Sequence, residues 1–179
     1  KNGNYLLVAG KHNDSGDCLD VLLFDADNEQ LSKCDGEWSG NANDVIFGAD
    51  WTYAYANHIA VYGYDGSTRN VKVYTFESNS LTEIDSVNIS SDLTAGEDAT
   101  VRWQPNQNIF AVGSYNSSDS GSEGSLSTFE FNGSSIVDFT STFSFDSSYI
   151  RDIAWSSDGS YYVAACSDSL RIYHRDVDG

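Results

Sequence analysis

The sequence predicts an all-β chain in which one antiparallel unit of four strands is used repeatedly. Three observations predict it. Trp51, Trp103 and Trp155 are evenly spaced, 52 residues apart. Each closes an apolar run and is followed by a polar turn and a second apolar run. A polar break and a third run come next, most cleanly in WSSDGSYYVAACSDSLRIY from Trp155 to Tyr173. The composition agrees: Ser, Asn, Asp and Gly abound, Pro occurs once, Met is absent, and no window carries sustained helical periodicity.

The first run, NYLLVAG at Asn4 to Gly10, is continuous rather than alternating, so it reads as a strand buried on both faces. The polar loop KHNDSGD leads to a strand from Leu19 to Phe24. The turn DADNEQ then gives a short strand at Leu31 to Cys34. The loop DGEWSGNAN, which holds Trp38, separates this unit from the next. The second unit reads DVIFGADW, NHIAVYGYD, then Val71 to Phe76 and Leu81 to Ile89. The third reads ATVRW, IFAVGSY, LSTFEF and SIVDFTSTFSF; the fourth gives YIRDIAW, YYVAACS and LRIYH. With strands lettered a to d within a unit, the order is bcd, abcd, abcd, abc.

A unit of this length and strand number cannot bury its own faces, and its repetition is the mark of a propeller blade. The phrases Asp152 to Tyr173 (DIAWSSDGSYYVAACSDSLRIY) and Val101 to Tyr115 (VRWQPNQNIFAVGSY) resemble the strand a, turn, strand b phrase of the WD-repeat β-propeller superfamily. The resemblance covers essentially the whole chain. It implies one propeller segment over residues 1–179, with blades at about 1–40, 41–92, 93–146 and 147–179, some three and a half in all. The family's Trp-Asp pair appears as Phe24-Asp25, Tyr74-Thr75, Phe129-Glu130 and Tyr173-His174, and its Gly-His pair is missing, so the blades are divergent. Propellers close as rings of roughly 4–8 blades. This segment therefore expects completion by another copy, another chain or further residues. Two copies would supply seven blades' worth of strands.

Nine basic against 27 acidic residues give a net charge of −18, which disfavours nucleic acid and anionic lipid as partners. Solubility explains such a surface; a saline or calcium-rich habitat is the alternative. No apolar run approaches the roughly 20 residues of a membrane helix, and Lys1 opens neither a signal peptide nor a chain starting with Met. A processed protein or a piece of a longer one is expected.

In the strand order above, the a–b and c–d links are tight, while the b–c and d–a links are long and polar. One face should therefore gather the loops, and with them the binding residues. The candidates there are Trp38, Tyr64, Asp65, Tyr115, Asp119 and Glu123. Trp38, in a polar loop, would stack on a sugar, anchor a partner, or fold back over the blade edge. The acids of that face (Asp14, Asp17, Asp65, Asp92, Glu97, Asp98, Asp119, Glu123) suggest calcium weakly, since no calcium-loop spacing accompanies them. No other cofactor is indicated. His12, His58 and His174 carry no zinc pattern, and no nucleophile elbow or phosphate loop occurs. Cys18 and Cys34 bracket a hairpin and would form either a cross-strand disulfide or two small buried thiols. Asn13, Asn88, Asn116 and Asn132 head Asn-x-Ser sequons. With that disulfide they tilt the expected location to the cell surface or outside, the cytoplasm being the alternative.

The expected function is a non-enzymatic scaffold whose partners are proteins or further copies of itself. The alternatives are a subunit of an extracellular glycosylated fibre, and a carbohydrate-binding propeller or glycan hydrolase.

Overall fold

A computed structural model describes residues 4–11, 17–39, 44–52, 57–89, 99–105, 107–118, 121–138, 143–146 and 150–174. These residues form strands and turns with no helix among them, in four antiparallel sheets. The first sheet is β1 (Tyr5–Ala9), β2 (Asp17–Asp25) and β3 (Gln30–Ser39). The second is β4 (Asp44–Trp51), β5 (His58–Asp65), β6 (Arg69–Glu77) and β7 (Ser80–Asn88). The third is β8 (Thr100–Trp103), β9 (Ile109–Ser118), β10 (Gly121–Phe131), β11 (Ile136–Asp138) and β12 (Phe143–Asp146). The fourth is β13 (Ile150–Trp155), β14 (Tyr161–Cys166) and β15 (Leu170–His174). The architecture is a partial propeller of four blades; among the described residues the first shows no strand a and the last no strand d. The third blade's strand d is split, because β11 and β12 both pair with β10 on either side of an interruption.

The core lies in the seams between blades. Leu19, Val21 and Trp38 of the first blade meet Ile46, Ile59, Val61, Tyr74 and Phe76 of the second. Ala60, Tyr62, Val71 and Val73 of the second meet Val101, Trp103, Phe110 and Phe129 of the third. Ala111 and Leu126 of the third meet Ile150, Ile153, Tyr162 and Ala164 of the fourth. Strand β5 thus sends Ile59 and Val61 into one seam and Ala60 and Tyr62 into the other, which is why its sequence is apolar without alternation. Burial pushes the Tyr62 and Tyr162 phenols each up to about 12, so both serve as neutral fillers.

Strand β1 corrects the sequence reading. Leu7 packs into the first seam, but Leu6 and Val8 on the other side stay exposed, as does Tyr5 in part. No further blade lies against that side among the described residues. A continuous apolar run reports two faces fit for burial; a neighbour on each face is a separate requirement.

Hydrogen bonds cross every seam. The Trp103 indole donates to the Asp50 carbonyl at 3.0 Å, and the Trp155 indole donates to the Arg102 carbonyl at 3.1 Å. Each acceptor is the residue preceding the previous tryptophan. The Asp50 carboxylate also accepts the Trp103 backbone N–H at 2.8 Å. On the outer strands, Asp35 accepts the Leu81 N–H and Asp85 accepts the Ile136 N–H, each at 2.7 Å. Close approach of strands a needs Gly48, where a Cβ would stand 2.9 Å from the Val101 nitrogen. Trp103 and Trp155, expected as core, are therefore seam staples as well; Trp103 is buried while Trp51 and Trp155 are half-buried.

The staple makes a stability prediction. Trp103→Ala should cost about 3–5 kcal/mol, and Trp103→Phe, which keeps most apolar contact but removes the donor, about 1 kcal/mol. Urea unfolding midpoints at constant m measure both, and equal losses would deny the indole N–H any share.

Candidate functional site

Two of the stretches expected as loops on one face are in part strand. Strand β3 runs on to Ser39, which pairs with Asp17, so DGEWS is strand rather than loop. The stretch expected as a long b–c loop in the third blade is a hairpin: β9 and β10 stay paired out to Ser118 opposite Gly121. Tyr115 pairs with Gly124 and Glu123 with Asn116 in this ladder. Their side chains, Asp119 and the acids Asp14, Asp92, Glu97 and Asp98 lie outside the described residues.

Trp38 does not stand in an exposed loop. It is 5% exposed and packs in the first seam, with the Lys72 ammonium 4.5 Å from its ring centroid. A Cβ on Gly63 would stand 3.1 Å from this ring, so the glycine makes the space it fills. Trp38 has φ of +61°, a strained backbone for a bulky residue, and its buried indole N–H has no hydrogen-bond partner among the described residues. Sugar stacking on Trp38 is thereby excluded in this conformation. The cause is a register shift between Val21 and Leu22, which changes the phase of β3 and turns Trp38 inward.

The same ladder overturns the disulfide. Cys18 lies between Asp17 and Leu19, which pair with Ser39 and Glu37, so it stands across from Trp38. Cys34 occupies the shifted position next to Lys33 and Asp35. The two are about three positions apart along the ladder, some 10 Å, beyond a bridge's reach. Neither is in a disulfide; Cys18 donates its thiol to the Asp44 carbonyl at 3.4 Å.

Tyr64 and Asp65 come together at the β5–β6 turn. One Asp65 oxygen accepts the N–H groups of Ser67 and Thr68 at 3.0 and 2.7 Å and the Ser67 hydroxyl at 2.8 Å. The other accepts the Thr68 hydroxyl and the Asn70 amide at 3.1 and 2.9 Å. Tyr64 donates its hydroxyl to the Gly66 carbonyl at 2.9 Å, and the Arg69 guanidinium lies 5.9 Å from the Tyr64 ring centroid. Gly66, with φ of +79°, supplies the left-handed corner. Partial burial acts to raise the Asp65 carboxyl, but the Thr68 and Ser67 hydrogen bonds outweigh it and hold the group at about 2. Asp65 builds the turn, and the turn presents Tyr64 and Arg69 as a fixed pair.

Among the described residues, no three or more His, Cys, Asp and Glu side chains stand close enough to hold a metal ion. Nor is any described helix long and apolar enough to cross a membrane. Of the sequon residues, Asn88 is exposed at the end of β7, and Asn132 is exposed in a turn where its carbonyl oxygen accepts the Ser134 and Ser135 N–H groups. Asn116 lies in β9 with its side chain outside the described residues, as is Asn13 altogether.

Sequence reasoning missed the seam aspartates. A signal existed: Leu31 to Asp35 and Leu81 to Asp85 share Leu-x-x-x-Asp at corresponding places in two strands d. It also misaligned the first blade. The Phe24 N–H bonds to the Asn4 carbonyl as Phe76 bonds to Asn57 and Phe131 to Asn108. Leu22-Leu23, not Phe24-Asp25, is therefore the counterpart of Tyr74-Thr75.

No family model matches the chain, and no curated protein does. Solved structures do. Sqt1 from Chaetomium thermophilum, a WD40 protein, superposes with a TM-score of 0.64 at 20% identity over 96% of this chain and 41% of that one. TolB from Acinetobacter baumannii gives 0.38 at 14% identity, over 97% of this chain and 50% of that one. A post-proline cleaving enzyme from Rickettsia typhi gives 0.39 at 17%, over 98% and 25%. The chain thus spans less than half the length of Sqt1. The Sqt1 likeness shows the propeller architecture and nothing finer.

The Asp65 turn sets a pH expectation. Its folded value, about 2, lies below the ordinary 3.8. The stabilisation is therefore complete above about pH 4 and is lost as pH falls from there towards 2. Asp65→Asn should flatten the stability curve in that window. Parallel curves for variant and parent would remove Asp65 from the account.

Proposed function

We propose that this chain is a non-enzymatic scaffold that holds polypeptide partners. The observation that carries this is the Tyr64–Arg69 pair, held by the Asp65 turn on the loop rim of a rigid, stapled stack whose fold is that of a WD40 protein.

A photo-crosslinking residue at Ser67 tests this. In extract from the native source it should capture a defined protein that the same residue at Ser134, on the opposite rim, does not. Tyr64→Ala with Arg69→Ala should remove the capture. Turnover of a glycan or peptide panel by the purified chain would favour the hydrolase instead.

A location outside the cell is proposed on the exposed Asn88 and Asn132 alone, since the absence of a Cys18–Cys34 disulfide withdraws the other support. Material from the native source should then show hexose-sized mass steps that a glycosidase removes. A single bare mass would return the chain to the cytoplasm.

A further inference from the structure

At one end of the first seam, two buried polar atoms have no hydrogen-bond partner among the described residues. They are the Trp38 indole nitrogen and one carboxylate oxygen of Asp44, a residue only 3% exposed. The ladder brings the two side chains into one neighbourhood. Trp38 stands across from Cys18, whose thiol bonds the Asp44 carbonyl at 3.4 Å. The edge of the Trp38 ring next to its N–H packs over Gly63, which pairs with Ile46, two residues from Asp44. A donor and a carboxylate oxygen left unpaired in a core are both costly.

The backbone adds to that cost. Glu29, Ser78 and Asn79 also have positive φ, but they lie in tight turns that call for it. Trp38 has φ of +61° inside strand β3, where no turn explains it. Two things hold the ring in place. One is its apolar burial; the other is the Lys72 ammonium 4.5 Å from the ring centroid, itself tied to Glu83 at 2.9 Å. Trp103 makes the contrast: it is 2% exposed, and its indole N–H meets the Asp50 carbonyl. Trp103 is fixed by its hydrogen bond, whereas Trp38 is retained against strain and an unpaired donor. Strain of this kind collects where a structure has two states.

We propose that Trp38 is a gate in the first seam, alternating between its buried position and an outward one at the loop rim. When its φ relaxes to the negative values that an L-residue prefers, the Cα–Cβ bond turns away from the seam and the ring leaves. The indole N–H and the Asp44 oxygen then both meet water, so two desolvation costs are relieved at once. Opening also uncovers the Cys18 thiol, which is 5% exposed while the gate is shut. Gly63 adjoins Tyr64 in β5, so the outward indole emerges beside the Tyr64–Arg69 pair. The gate thus decides whether that rim carries an additional aromatic ring. It goes beyond the scaffold reading and holds whether or not a polypeptide is bound there.

Cys18 is the reporter. Cys34→Ser with Cys166→Ser leaves it as the sole thiol, and its reaction with an aromatic disulfide reagent is followed across low urea concentrations. Labelling is expected well ahead of global unfolding and nearly independent of urea, because a gate exposes little surface. The reference is the same chain with Cys18→Ser and Val61→Cys, whose thiol replaces a fully buried side chain of the same seam. That thiol should react only on global unfolding, with a steep urea dependence. Lys72→Gln takes the ammonium off the ring and should speed Cys18 labelling about fivefold without steepening its urea dependence. Circular dichroism confirms that each variant is folded. Cys18 reacting at the rate and urea slope of the Val61→Cys thiol would overturn the proposal. So would a Cys18 rate unmoved by Lys72→Gln, since the thiol would then be reached by a route other than Trp38. None of these readouts involves capture at Ser67, so the scaffold reading stands or falls separately.

Discussion

A four-stranded blade has two apolar faces and no means of covering either. Everything stable in this chain follows from stacking. Ile59 and Ala60 are neighbours in sequence, yet each is fully buried in a different seam. The hydrophobic term supplies the attraction but is indifferent to sliding. Register comes from directed bonds: indole to carbonyl on the inner strands, carboxylate to backbone N–H on the outer ones. Each seam is thus glued by area and aligned by a few hydrogen bonds.

This division explains part of the acidic composition. Asp35 is held below its ordinary value first by the Leu81 N–H, against the upward pull of burial. Asp25 and Asp158 are lowered chiefly by the Asn28 and Ser156 side chains, in turns that they shape. Asp50, Asp65 and Asp85 serve backbone donors in the same way. A carboxylate is a strong acceptor that needs no partner cation when N–H groups converge on it. A chain of turns and strand ends has many such groups to satisfy. Net charge alone cannot tell these structural acids from a solvated surface.

What was legible followed periodicity. The blade pattern and the strand order could be read because the tryptophans and the turn sequences recur. Phase within a strand was not legible. A register shift at Val21/Leu22 leaves no mark in composition, yet it buries Trp38, separates Cys18 from Cys34 and carries β3 well past Cys34. The third blade's hairpin failed for the opposite reason: Ser, Asp and Gly look like loop, but two polar strands held only by their ladder look the same. The seam bonds were half legible. The tryptophans announced themselves, while their acceptors are carbonyls, which no sequence displays.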